Sequence, residues 1–490
     1  RTAVGAARRR TKRRAGRRRR SGSGHLVTLV ALTDARHHPN NRPTLIGAIP
    51  PRAPTSPRCH SIAGTGQRIA SDESIDLPSP AATPPKRGHM RQREPVADWT
   101  TDFDVMDHAY VENPFPIWDD LRESCPIART ERRRGAWLLT TYADVMEAAH
   151  DIGRFSSLEV GVIDSDVEVE ADDAAAQYGL PPISADPPLH TWTRRLLLPW
   201  FSHKRVEVYE VMTRDLCRAL IDGFIDAGHA DAAADYAQQI PVRVIARILG
   251  VPESLSDTFT GWVRDMLEFA DEPERVARGQ AGIIAFLLEE IERRKADPDD
   301  NLISALVHTS HEGEPLEDGL VLGIVGLVMI AGIDTTWSSI GSSLWHLANN
   351  PDDTARLAAD PGLMGSAVEE FLRAYSPVTM ARLVTTDTEF GGCRMRQGDK
   401  LLMNFPAANR DPEVFDRPDE VILDRLVNRH VAFGAGIHRC AGSNLARMEL
   451  TVALEEWMRR IPSFRLAEGA VVTWAGGQVR GPRVLPVEFP

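Results

Sequence analysis

Cysteine is scarce in this chain. There are five in 490 residues, Cys59, Cys125, Cys217, Cys393 and Cys440, widely spaced, odd in number and with no C-x-x-C pair. That excludes a disulfide framework and a cysteine-built zinc site, and it suits a reducing compartment such as the cytoplasm. Long apolar runs are missing too. The longest uncharged one, Leu320 to Ile333, has 14 residues between Asp318 and Asp334, short of the ~20 needed to cross a bilayer. No membrane partner is therefore expected. Positive charge is also lacking, except at one end. Residues 1–89 hold 18 Lys/Arg against 4 Asp/Glu, a net of +14, whereas the rest holds 39 basic and 65 acidic residues, a net of −26. An acidic body argues against nucleic acid as a partner.

Residues 1–89 lack apolar periodicity. The first 20 contain 11 Arg/Lys, and Pro-, Ser- and Arg-rich stretches follow. Such a segment cannot bury enough surface to order itself. The apolar run Leu26 to Leu32 behind the basic residues has the outline of a signal peptide, but it is short and no A-x-A site follows it. A basic arm for nucleic acid is another reading. The chain begins at Arg1, and Met90 opens ordinary sequence. The expectation is a disordered, basic, Pro-rich segment over 1–89, foreign to the native protein, and a single domain over 97–490.

What is present begins with amphipathic pattern. Pro114 to Arg122 reads as a turn opening a helix, Gly135 to Thr141 as a strand, and Tyr142 to His150 as a second helix. Ser156 to Ile183, acidic and mixed in character, reads as a long functional loop. Asp186-Pro187-Pro188 makes a stiff helix entry. On the helix behind it, His190 and Arg194 share one face four residues apart. That is either an exposed basic face or a pair awaiting an anion. Residues 205–300 read as several helices broken by Pro and Gly.

Leu320 to His346 reads as a helix apolar almost all round, hence buried. Inside it Ala331-Gly332-Ile333-Asp334-Thr335-Thr336 breaks the pattern with a glycine, a carboxylate and two hydroxyls. Thr hydroxyls can bond the carbonyl four residues back, and with Gly332 this would open a groove or be a polar kink. Glu370 and Arg373 stand three apart on one helix face. Near the C-terminus, Phe433-Gly434-Ala435-Gly436-Ile437-His438-Arg439-Cys440-Ala441-Gly442 sets one cysteine in a glycine-bracketed loop ahead of a helical pattern from Ser443. A helix N-terminus favours a thiolate, and glycines let amides approach a ligating sulfur. A buried structural cysteine is the bland alternative.

That last stretch resembles the haem-binding loop of the cytochrome P-450 superfamily, F-G-x-G-x-H-x-C-x-G, at every fixed position. The oxygen-helix pattern A/G-G-x-D/E-T-T and the E-x-x-R pair match as well, in the family's order, over about residues 97–490. Stretches around Asp334 to Ser339 and Phe405 to Arg410 look most like haem domains of bacterial members fused to their own reductase. The resemblance implies a mainly α fold with a small β region, a helical triangular prism with haem b between the long buried helix and the cysteine loop. It implies Cys440 as the iron's thiolate ligand, with Phe433, Gly434 and Ala331 against the haem. His190, Arg194, Arg382 and His438 would neutralise its propionates. Asp334 and Thr335 would deliver protons to O2, and residues 205–300 would form the lid. Glu370 and Arg373 would be a structural pair. The family's meander usually adds a basic residue to that pair, but here Glu420 stands in its place, with Arg417 or Arg425 as substitutes. Val378, Thr379, Met380 and the Gln478–Val479 turn would contact substrate.

The implied function is a bacterial monooxygenase inserting one atom of O2 into a small organic molecule, by hydroxylation or dealkylation. Electrons would come from NAD(P)H through a ferredoxin and its reductase, or a separate reductase. That partner would dock near Arg429, Arg439 and Arg447. A peroxide-driven or non-hydroxylating haem-thiolate enzyme and a haem-based sensor are the alternatives.

Overall fold

The computed structural model describes residues 94–163 and 178–490, all within one unit of the chain. The expectations for 1–89 and for the middle of the 156–183 loop lie outside the described residues.

Three local sequence patterns become elements as read. The helix α1, Phe115–Ser124, opens on Pro114. The strands β1, Ile127–Thr130, and β2, Ala136–Leu139, form a hairpin. The helix α2, Tyr142–His150, is capped by the Thr141 hydroxyl, which accepts from the Asp144 amide and so satisfies one orphan donor of the first turn. The short strand β3, Phe155–Ser156, completes one side of a five-stranded sheet whose order is β1–β2–β5–β4–β3. Here β4 is Thr379–Val384 and β5 is Lys400–Asn404; β5 runs parallel to β2 and antiparallel to β4. The antiparallel hairpin of β6, Thr473–Ala475, and β7, Gly481–Val484, lies outside that sheet.

The rest is helical. After α3, Leu189–Leu197, come α4, His203–Phe224, and α5, Gln239–Leu249. Then follow α6, Ser256–Leu267, and α7, Pro273–Ala296, the helices expected over the lid. The axis of the core is α8, Asp318–Asn349. Its length and composition match a membrane span, yet 78% of its most apolar window is buried inside the protein. It is a core helix, apolar on every side because α5, α7, β7 and α10, Ser443–Arg460, surround it. Close approach is built in. A Cβ on Gly332 would meet Ile245 Cδ1 at 2.4 Å, and one on Gly481 would meet Ser338 Cβ at 2.3 Å. The space a side chain would take at Gly332 is filled by Ile245 of α5, so Gly332 allows close packing there.

Glu370 and Arg373 lie on α9, Met364–Ala374, both fully buried. Arg373 Nη2 and Nε donate to the two Glu370 oxygens at 2.8 and 2.9 Å. Arg373 also donates to the carbonyls of Asn409, Pro418 and Glu420. The third member of the cluster is Arg425, whose Nε donates to Glu370 Oε2 at 2.9 Å. Arg417 turns away to Asp416 and Glu420. Burial alone would push the Glu370 carboxyl up, but Arg373 and Arg425 hold it below the usual carboxylate range. The cluster ties α9 to the chain that leads into the cysteine loop.

Removing one partner of a buried pair strands the other charge. Arg373→Ala is expected to cost about 3–5 kcal/mol in urea unfolding. Arg425→Ala should cost less, since Arg373, Asn428 Nδ2 and the Ile422 amide all remain on Glu370.

Candidate active site

The cysteine loop is shaped by two glycines. Gly434 and Gly436 have φ of +68° and +67°, a left-handed conformation that other residues rarely adopt. Between them the chain reverses, so the Cys440 amide donates to the Phe433 carbonyl at 2.8 Å. Cys440 ends just ahead of α10. Gly442 plays no comparable part, because its φ is ordinary and an added Cβ would stand 4.0 Å from the sulfur. The side chain of Cys440 keeps accessible surface, although burial is the largest influence on its thiol. Both hold for a residue that lines open space inside the protein. Burial raises the thiol pKa, against the pull of the Gly442 amide and of Arg194, Arg439 and Arg447. The adjacent amide and arginines favour the thiolate, as expected at a helix start, and burial opposes them.

Two arginines and two histidines gather near this loop. His190 and Arg194 project from α3, Arg382 from β4, and His438 from the loop. The His190 and His438 rings lie 4.3 Å apart. His190 Nε2 donates to the Ile437 carbonyl at 3.1 Å, which leaves Nδ1 without a partner; His438 Nε2 has none either. Arg194 donates to the Arg439 carbonyl. Arg382 is 4% exposed and donates to the Ala381 carbonyl. Among the described residues no carboxylate forms an ion pair with any of the four. Burial, together with repulsion from Arg382, His190 and Arg194, drives the His438 pKa down to about 3, and burial takes Arg382 down to about 10. Arg194 and Arg382 without a carboxylate, beside two histidines whose free ring nitrogens can take up protons, call for an anion.

One stripe of α8 is open. Between Leu320 and Leu344 every residue is buried except Leu327, Ala331, Gly332 and Thr335. Leu327, Ala331 and Thr335 are spaced i, i+4, i+8 and so share one face. The Thr335 hydroxyl donates to the Ala331 carbonyl at 2.8 Å, the i−4 bond read from the sequence. Asp334 points elsewhere, into a charged network that local sequence did not reveal. Gly481 lets β7 lie against Ser338, and two residues on, on the same strand face, Arg483 reaches Asp334. Its Nη2 donates to Asp334 Oδ1 at 2.7 Å and its Nη1 to Ser338 Oγ at 3.0 Å, while its Nε donates to Glu268 Oε2 at 3.2 Å. Glu268, just past α6, in turn accepts from Arg264. Asp334 Oδ2 has no partner. Burial raises the Asp334 pKa despite Arg483.

The expected substrate contacts come together in part. Val378 bridges to Val479, and the Thr379 amide donates to the Gln478 carbonyl. Strand alternation then places Val378, Met380 and Arg382 toward one side and Thr379 toward the other, where it is buried. Among the three arginines expected at a docking face, Arg429 and Arg439 are exposed. Arg447 is engaged by Glu369.

The family model described as "Cytochrome P450" matches residues 253–360 and 362–466. A probable cytochrome P450 127A1 of Sinorhizobium fredii is 35% identical, over 72% of this chain and 83% of that protein. A vitamin D(3) 25-hydroxylase of Pseudonocardia autotrophica is 34% identical, over 79% of this chain and 96% of that protein. The crystal structure of CYP101J2 superposes with a TM-score of 0.70 at 29% identity, covering 81% of this chain and 98% of its own.

A Cβ at either loop glycine is strained, by about 1–3 kcal/mol. At Gly436 it would also meet the Ala149 carbonyl oxygen at 2.2 Å, whereas at Gly434 it meets only the Phe405 ring at 3.5 Å. Gly436→Ala should therefore lower the urea midpoint more than Gly434→Ala.

Proposed function

The chain belongs to the cytochrome P450 family of haem b monooxygenases, and from that premise we propose that Cys440 is the ligand of its iron. The unpaired Arg194 and Arg382, with the free ring nitrogens of His190 and His438, support this reading. The two propionates of a porphyrin would pair with Arg194 and Arg382 and favour protonation of His190 and His438, and Cys440 would hold the metal. Phe433 and Gly434 would lie beneath the ring and Ala331 above it. When bound, haem b supplies reductive activation of dioxygen and transfer of one oxygen atom to substrate.

The chain's own part is position and protons. Cys440 gives up its thiol proton to become a thiolate. Arg382 and its neighbours fix the ring's orientation and offset its charge. Val378, Met380 and Val479 offer an apolar wall for substrate. Arg483 retains Asp334 Oδ1, Oδ2 has no partner and is free to take a proton, and Thr335, the next residue, presents its hydroxyl on the open stripe. The raised Asp334 pKa supports a role as acid rather than as a permanent carboxylate.

Catalysis needs O2 and a redox partner protein. We assign the electrons to NAD(P)H by way of a ferredoxin and its reductase, or a separate reductase, docking over Arg429 and Arg439. Substrate is an organic molecule with an oxidisable C–H bond. The vitamin D(3) hydroxylase among the relatives supports an apolar one.

The haem-loaded, reduced protein should give the CO band at the wavelength for which the family is named. Turnover should require NAD(P)H and the protein partners; turnover with peroxide alone would favour the peroxide-driven alternative. Asp334→Asn should slow coupled turnover by about 10²-fold, and Thr335→Ala should divert electrons into free peroxide. Arg483→Ala removes the cation that favours the Asp334 carboxylate, so its pKa rises further. If Asp334 acts protonated, the loss of turnover toward high pH should move to higher pH in that variant.

A further inference from the structure

Arg447 belongs to a closed cluster rather than to the outer face. It lies seven residues after Cys440 on α10. Its Nε and Nη2 donate to the two oxygens of Glu369 at 2.5 and 3.0 Å. Its guanidinium carbon sits 4.5 Å from the centre of the Phe433 ring, a cation–π distance. Phe433 is the residue whose carbonyl receives the Cys440 amide. His430, 3% exposed, closes the set. The Ala432 amide donates to its Nδ1 at 3.2 Å, so Nδ1 is bare and Nε2 carries the proton, donating to Glu369 Oε2 at 2.9 Å. A neutral histidine, one carboxylate and one guanidinium sum to zero charge beside the sulfur loop. Glu369 also adjoins Glu370, so α9 anchors the meander with one carboxylate and the cysteine loop with the next.

We propose that Glu369, Arg447 and His430 are positioning residues that set the charge felt by the Cys440 sulfur, and with it the iron's reduction potential. This rests on the reading of Cys440 as ligand. A cation near the metal favours the reduced, more negative centre, and an anion disfavours it. Glu369, paired to Arg447, opposes the effect of that cation, and the stack on Phe433 keeps it at a fixed place. Burial would push the Glu369 carboxyl up, but His430 and Arg447 take it down to about 2, so it stays charged at any working pH.

The test is a charge cycle on the haem-loaded protein, read as the ferric/ferrous midpoint potential. E369Q should raise the potential and R447Q should lower it. The double variant E369Q/R447Q should return toward wild type. R447K keeps the charge and should stay nearer to wild type than R447Q. A merely structural brace would move both single variants in one direction, with the double variant furthest from wild type. That result, or four unchanged potentials, overturns the proposal. A wild-type protein lacking the thiolate CO band would sink the underlying reading and this proposal together. A wild-type protein that has the band, with potentials that do not follow charge, sinks the proposal alone.

Discussion

The interior around Cys440 is organised by two arginines and two histidines held close together without a carboxylate paired to any of them. His190, Arg194, Arg382 and His438 come from a helix, a strand and a loop far apart in sequence, and the fold presses them into one place. Burial and mutual repulsion disfavour their charged forms, as the depressed His438 and Arg382 pKa values record. Such an arrangement is costly in the polypeptide alone and favourable once two carboxylates arrive. Haem binding and folding are therefore linked: the cofactor stabilises the fold by whatever free energy it gains on binding. The sulfur follows the same logic. Its thiol is raised by burial, and a bound metal would favour the thiolate.

The buried helix α8 divides its faces between packing and chemistry. Glycines let α5 and β7 close on it, and that closeness gives β7 its reach. Without Gly481 against Ser338, Arg483 would stand too far out to meet Asp334. The open stripe of Leu327, Ala331 and Thr335 is left by the same packing. A carboxylate on one face and a hydroxyl on the next, joined by one peptide unit, connect a charged network to that open stripe.

Much of this was legible in the sequence, and the limits are physical. Local periodicity revealed α2 and α8 because a helix or strand announces itself within a few residues. The loop around Cys440 was legible because its glycines and cysteine fall within one decapeptide. Pairings between distant segments were not. Arg483 is 149 residues from Asp334, and nothing near it marks it as different from other arginines. The choice between Arg417 and Arg425 depended on which side chain the meander turns inward. The close approach of Ile245 to Gly332 is likewise invisible to the local pattern. Three consecutive substrate contacts, 378 to 380, ignored the alternation that a strand imposes.

The account's central claim is a bond between the sulfur at position 440 and iron. Iron-edge X-ray absorption on the haem-loaded protein measures it directly. One sulfur should appear in the first shell of the iron, and it should vanish in Cys440→Ala that still holds haem. A wild-type spectrum without that sulfur, or a variant that keeps it, would contradict the account.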